Sequence, residues 1–297
     1  MSRSLLIVGC GYLGKYILRL TQCRRQVFAT YRNPEQGQLL HQLGAQIIPC
    51  EVTRAVEVAQ LPAADVLIYS VNLSAPADVP GSSAWWTGLQ HILHHWRKKP
   101  GHWRRIILVS STSVYGQKDE SWVTESDATK PDTAAGQLCL EGERLARQAT
   151  DWAGEVVVVR LSGIYGPGRI VYARHLREGL PISANPDGWL NLIHVADAAR
   201  AILALADTQR PDSVYNITDD EPVRRRDYWQ ALTTWLACRL PPIQASPIDA
   251  AANRRISNGK IKRELGLAWL YPSFRVGVPA SLQEESATAS GLCAAPG

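Results

Sequence analysis

Between Ser4 and Gly14 the chain reads Ser-Leu-Leu-Ile-Val-Gly-Cys-Gly-Tyr-Leu-Gly, an apolar run that feeds directly into a G-x-G-x-x-G turn. Leu5 to Val8 has the length and branched-residue content of a buried parallel strand. From Tyr12 to Leu20 apolar residues continue at helical spacing, so strand, glycine turn and helix follow in that order. Each glycine has a task in such a unit. Gly9 makes the tight turn, Gly11 leaves bare backbone for a pyrophosphate, and Gly14 lets the helix lie close on the strand. The amides of the first helical turn, at Tyr12 and Leu13, and the positive end of the helix dipole complete a predicted anion site.

The same alternation continues. Strands are predicted at Gln26 to Tyr31, Ala45 to Pro49, Val66 to Val71, Arg105 to Ser110 and Glu155 to Leu161. Helices fall between them at Tyr12 to Leu20, from Pro34 to Gly44, Ala84 to Lys98 and Ala134 to Thr150. The last of these puts Glu141, Glu143, Arg144 and Arg147 on its wetter side. The fold class is α/β: a Rossmann-like doubly wound parallel sheet with a small C-terminal lobe on the substrate side. Residues 1–169 form the nucleotide-binding domain in this reading. Residues 170–279 partly complete the sheet, over 189–217, and partly form the lobe. The small polar residues from Ala280 to the end predict a disordered tail.

Strand ends carry the remaining site residues. A dinucleotide site for NAD has an acidic residue about twenty positions past the glycines, on the ribose 2′-hydroxyl. Here Tyr31-Arg32-Asn33 stands at that point, with no carboxylate. An arginine there matches a 2′-phosphate, so NADP is favoured over NAD; the alternative is an ordinary surface arginine. Glu51 and Val52 after the third strand, Ser70 and Val71 after the fourth, and Ser110 after the fifth are the other candidate cofactor residues. The fifth strand ends in Ser110-Ser111-Thr112-Ser113-Val114-Tyr115-Gly116, followed by a polar stretch over 117–133 that reads as a long loop, and 72–83 reads as a second loop on the ligand side.

Composition excludes several functions. The 297 residues carry a net charge of +5, and Arg24-Arg25, Arg97-Lys98-Lys99 and Arg224-Arg225-Arg226 are short clusters without interleaved aromatics. No nucleic-acid partner is expected from that pattern. Six cysteines without a C-x-x-C pair suit a reducing compartment. No run reaches membrane-spanning length and no signal peptide precedes the first strand, so a cytoplasmic protein without membrane association is expected. His91, His94 and His95 share a helix without an H-E-x-x-H pattern, and no metal is assigned to them.

Taken in order, these motifs resemble the extended branch of the short-chain dehydrogenase/reductases, the family of NAD-dependent sugar epimerases and dehydratases. The resemblance rests on the glycine turn at Gly9, Ser110 to Gly116, Arg-x-x-x-Ile-Tyr-Gly-Pro-Gly from Arg160 to Gly168, and Asn-Leu-Ile-His-Val-Ala-Asp over 191–197. It extends to Arg255-Ile-Ser-Asn-Gly-Lys-Ile-Lys-Arg-Glu-Leu-Gly266 with Tyr271-Pro272-Ser273. The family's Tyr-x-x-x-Lys pair on the helix after the long loop aligns with Ala135 and Cys139, so both proton-transfer positions are changed. The dehydratases' Thr-Asp-Glu is Ser111-Thr112-Ser113 here. The resemblance is therefore to an atypical subgroup that keeps the cofactor fold without the dyad.

Two functions are implied. One is an NADP(H)-dependent oxidoreductase or epimerase-like protein acting on a small or nucleotide-linked substrate, with Ser111, Tyr115, Tyr165 and His194 as candidate proton donors or substrate contacts. Each has a structural alternative: the tyrosines as packing residues and His194 as a helix cap. The other is a non-catalytic NADP(H)-binding sensor or scaffold. The family analogy also implies a homodimer through the helices from Ala84 and from Ala134, an analogy only.

Overall fold

The computed structural model describes residues 3–21, 24–71, 84–98, 103–244 and 253–292. Its first half runs β1 (Leu5–Val8), α1 (Tyr12–Thr21), β2 (Val27–Tyr31), α2 (Pro34–Gln42), β3 (Gln46–Pro49), α3 (Ala55–Val58), β4 (Val66–Tyr69), α4 (Ala84–Arg97) and β5 (Arg105–Ser111). Then come β6 (Trp122–Val123), α5 (Ala134–Arg147), α6 (Thr150–Ala153), β7 (Glu155–Leu161), β8 (Gly163–Tyr165), α7 (Ala173–Glu178), β9 (Ile182–Ser183), β10 (Trp189–Leu190) and β11 (Leu192–His194). The chain continues through α8 (Val195–Asp207), β12 (Val214–Ile217), β13 (Val223–Arg224), α9 (Arg225–Leu236), β14 (Ile243–Gln244), β15 (Arg255–Ile256), α10 (Gly259–Leu265) and α11 (Phe274–Leu292).

The main sheet has seven strands in the order β12-β7-β5-β4-β1-β2-β3. β1 pairs in parallel with β2 and with β4, β2 with β3, and β4 with β5. This is the Rossmann-like α/β architecture expected from the alternation. β1 and β4 are completely buried, as strands covered on both faces must be, and their side chains are correspondingly all apolar or aromatic. Chain order reverses between β1 and β4, which creates a crevice at their carboxyl ends.

The chain divides into two compact units whose segments alternate along the sequence. The first comprises 1–114, 133–160 and 199–215; the second comprises 115–132, 161–198 and 216–297. A linear boundary after residue 169 does not describe this division. The first unit packs Leu6, Val8, Leu67, Tyr69, Ile106, Leu108 and Val158 with Leu89, Ile92 and Trp96 of α4. The second packs Tyr165, Leu192, Tyr228, Trp229, Leu232, Phe274 and Val278.

Four local expectations need correction. The polar stretch 117–133 contains β6, which pairs in parallel with β15, Trp122 opposite Arg255 and Val123 opposite Ile256. The helix from Ala134 stops at Arg147, and Thr150–Ala153 forms a separate turn. Glu143 is not on a wet face: its side chain is fully buried, because Arg160 neutralises it. From Ala280 the chain is helical through Leu292, not disordered, and Ser281, only 1% exposed, packs into the second unit. Small residues there lack bulk, but an apolar stripe of Phe274, Val278 and Leu282 anchors the helix. The expected loop at 72–83 and the last five residues, 293–297, lie outside the described residues.

Candidate functional site

The crevice in the first unit is built by the glycine turn. Gly9 has φ +83°, a conformation open to glycine at little cost, and its N–H donates to Thr30 Oγ1 at 3.0 Å. A Cβ at Gly9 would fall 2.5 Å from Val71 N, so the end of β1 lies directly against the chain leaving β4. Ser70 N donates to Val8 O at 2.8 Å and fixes that approach. A Cβ at Gly14 would meet Cys10 Sγ of the turn at 2.7 Å and Ile7 Cγ2 of β1 at 3.5 Å, so α1 lies close on the turn and the strand. Gly11 differs from both. Among the described residues no atom would lie within 4 Å of a Cβ there, so this glycine leaves its backbone uncovered by them.

Tyr12, Leu13 and Gly14 open α1, whose first-turn N–H groups lie outside the helical hydrogen-bond ladder. An open glycine, a positive helix end and adjacent strand exits fit a nucleotide diphosphate. Gln36, which carried no motif, supports the turn from behind: its Nε2 donates to Cys10 O at 2.8 Å. Sequence alone gave no signal for it, since a polar residue on a surface helix is ordinary.

At the second strand exit Tyr31 stacks its ring against Gly37, and Asn33 caps α2 by accepting from Glu35 N at 2.8 Å. Arg32 extends outward with its side chain 72% exposed, and its Nη1 lies 3.6 Å from Glu51 Oε2. Val52 is buried, and its carbonyl lies 3.1 Å from His91 Nδ1. That contact gives His91 a structural partner. No cluster of three or more metal-ligating side chains occurs among the described residues.

Ser110 does not present its hydroxyl outward. It donates to Glu143 Oε1 at 2.7 Å, and Arg160 clamps the same carboxylate through Nε at 3.0 Å and Nη2 at 2.7 Å. Ser111 is half-buried, and its Oγ accepts from Ser113 N at 3.1 Å. Cys139 is fully buried with Sγ 3.8 Å from Ser113 Oγ, and burial pushes its thiol pKa up. Ala135 is exposed.

The other three candidates belong to the second unit, and all three are buried. Tyr115 Oη donates to Asn216 Oδ1 at 2.9 Å. Tyr165 Oη donates to Ser273 O at 3.3 Å, and burial holds its phenol well above the usual range. His194 Nδ1 accepts from Ala196 N at 3.2 Å, at the start of α8. Its Nε2 lies 3.2 Å from Ser281 Oγ, whose own proton goes to Gly277 O at 2.6 Å, so Nε2 carries the hydrogen. Burial pushes the His194 pKa down to about 4, which keeps this ring neutral. Sequence reasoning missed Asp219, 1% exposed and near enough to Tyr165 to act on its phenol, whose own carboxyl pKa burial raises well above the ordinary value.

Comparison with known proteins places these features. The model of the NAD dependent epimerase/dehydratase family matches residues 5–218. Protein YeeZ of Escherichia coli is 25% identical over 283 residues, covering 91% of this chain and 97% of YeeZ. A functionally unknown conserved protein from Silicibacter pomeroyi has a structure that superposes with a TM-score of 0.79. It is 28% identical and covers 95% of this chain and 99% of its own. The dTDP-glucose 4,6-dehydratase DesIV of Streptomyces venezuelae, solved with NAD bound, superposes at 0.81 with 20% identity, covering 97% of this chain and 98% of its own. That last likeness is one of fold. With a family match across most of its length and a crevice of the matching design, the chain belongs to the NAD-dependent epimerase/dehydratase family.

Proposed function

We propose that this protein binds a nicotinamide dinucleotide in the crevice between β1 and β4, and that it acts on a small or nucleotide-linked substrate. The observation that carries this reading is the open backbone at Gly11 beside the amino end of α1. Arg32, standing where an NAD site has a carboxylate, favours the 2′-phosphorylated form, NADP. When bound, such a nucleotide supplies hydride chemistry. The chain's own part is to hold the diphosphate on main-chain N–H groups and to orient substrate through the half-buried Ser111.

The family resemblance aligns its proton-transfer pair with Ala135 and Cys139. Tyr115, Tyr165 and His194 direct their polar atoms to protein partners, which argues against each as a replacement acid. A buried cysteine where an ammonium would stand supports a second reading, a protein that holds NADP(H) without turnover. The helices from Ala84 and Ala134 are the proposed surface of a homodimer, on family analogy.

The test is titration of the full chain with NAD(H) and NADP(H), followed by carbonyl and nucleotide-sugar substrates. Binding with substrate-dependent oxidation of the reduced nucleotide supports the enzyme; binding without any turnover supports the holder. Installing Ala135→Tyr with Cys139→Lys should produce measurable reductase or epimerase activity if the remaining pocket is intact. No gain would show that the pocket has diverged as well.

A further inference from the structure

We infer that Glu51 sets the balance between NADP and NAD by competing with the 2′-phosphate for Arg32. The inference rests on the reading that the crevice holds a nicotinamide nucleotide.

The two residues meet because of strand register. β2 and β3 run in parallel with Tyr31 opposite Pro49, and Cys50 N donates to Tyr31 O at 2.9 Å. Arg32 and Glu51 therefore leave the sheet side by side, and their charged ends stand 3.6 Å apart.

The pair is asymmetric. Glu51 Oε1 accepts from Thr53 N at 3.2 Å and from Thr53 Oγ1 at 3.0 Å, while Glu51 N donates to Glu57 Oε2 at 2.6 Å. Glu57 is in turn held by Arg54 Nη1 at 3.0 Å. The carboxylate is thus the fixed member. Arg32, with a 72% exposed side chain, is the more exposed member.

A 2′-phosphate carries roughly −1.5 to −2 charges near neutral pH, by analogy with other phosphate monoesters. It must draw Arg32 away from a fixed carboxylate and dock near that carboxylate, so the anions oppose each other. A nucleotide with a free 2′-hydroxyl meets no such opposition. The arrangement moderates the preference that Arg32 alone would impose and lets both nucleotides in.

The experiment measures dissociation constants for NADP+ and NAD+ by calorimetry on the full chain, with no turnover required. Thermal melting of each unliganded variant checks its fold. Glu51→Gln keeps an oxygen for Thr53 and removes the charge. It is expected to tighten NADP+ relative to NAD+ about three- to fivefold, the scale of one exposed ion pair. The gain should shrink in high salt, because the charges are exposed. In an Arg32→Ala background the gain should largely vanish.

An unchanged NADP+/NAD+ ratio in Glu51→Gln, with both nucleotides still bound, overturns the inference and leaves the cofactor reading standing. Equal weakening of both also overturns it, since Glu51 would then contact a part the two nucleotides share. Failure of the unmodified chain to bind either nucleotide overturns the cofactor reading itself, and is seen before any variant is made.

Discussion

Glu143 and Arg160 form a buried bidentate pair, Nε to Oε1 at 3.0 Å and Nη2 to Oε2 at 2.7 Å, with Ser110 donating to the same carboxylate. The helix residue and the strand residue are each within 4% of full burial at the side chain. Neither charge can be left alone in such a place.

Replacing Arg160 with Met should therefore cost about 3–5 kcal/mol, because Arg147 Nη2, 3.8 Å from the buried carboxylate, does not replace the two lost guanidinium hydrogen bonds. The double change Glu143→Leu with Arg160→Met should recover much of that loss. Urea denaturation of the two variants, read against the unmodified chain, makes the comparison.

Gly9 and Gly11 should separate stability from binding. Gly9→Ala meets both a positive φ and the Val71 backbone, so it should destabilise the fold by about 2 kcal/mol or more. Gly11→Ala adds a methyl where no atom of the described residues lies within 4 Å, so its melting temperature should stay near that of the unmodified chain. Nucleotide affinity should nevertheless fall roughly tenfold or more, as charge-assisted bonds to the main chain are lost. Equal affinity in Gly11→Ala would remove this turn from the binding site.

His194 should give the protein an acid limb. Its folded pKa is pushed down to about 4, from an ordinary value of 6.5. Between those values the unfolded chain binds the extra proton, so stability from this group is complete above pH 6.5 and is lost as pH falls toward 4. The full loss is roughly 3 kcal/mol. Asp219 works in the opposite sense: its raised pKa favours the fold most at acid pH, and that contribution declines as pH rises above the ordinary value of 3.8. His194→Gln should flatten the stability curve between pH 4 and 6.5, measured by urea melts across that range.

Arg105 should matter more than a strand residue of its charge suggests. Its guanidinium is fully buried, paired with Glu155, and donates to the carbonyls of Ala206 at 3.1 Å and Thr208 at 2.8 Å, at the end of α8. Arg105→Gln should destabilise by about 2–4 kcal/mol, because several carbonyls and one carboxylate lose a charged donor together. Amide exchange should show the loss concentrated at the last turn of α8.

The central sheet was legible because its strands are continuous apolar runs, as in Leu5–Val8 and Val66–Tyr69, and because the glycine turn follows the first of them. Short elements that depend on distant partners were not. Trp122–Val123 is two residues long and exists through pairing with Arg255–Ile256. Glu143 looked solvated because Arg160, the arginine that holds it at 2.7 Å, lies on a strand, while Arg147 on its own helix stands 3.8 Å away. At the site, the glycines of the first turn and Arg32 could be read from spacing. The Glu51 counter-charge and the Gln36 brace could not, since both follow from how neighbouring strand exits meet in space.

Helix α11 places Phe274 and Val278 in the core of the second unit and Ser281 against His194. During synthesis, the segments 115–132 and 161–198 emerge long before these residues do. That half of the molecule must wait, with Tyr165 and Leu192 uncovered, until the late helix arrives to close over them. Nascent chains stalled short of Phe274 are thus natural clients for chaperones.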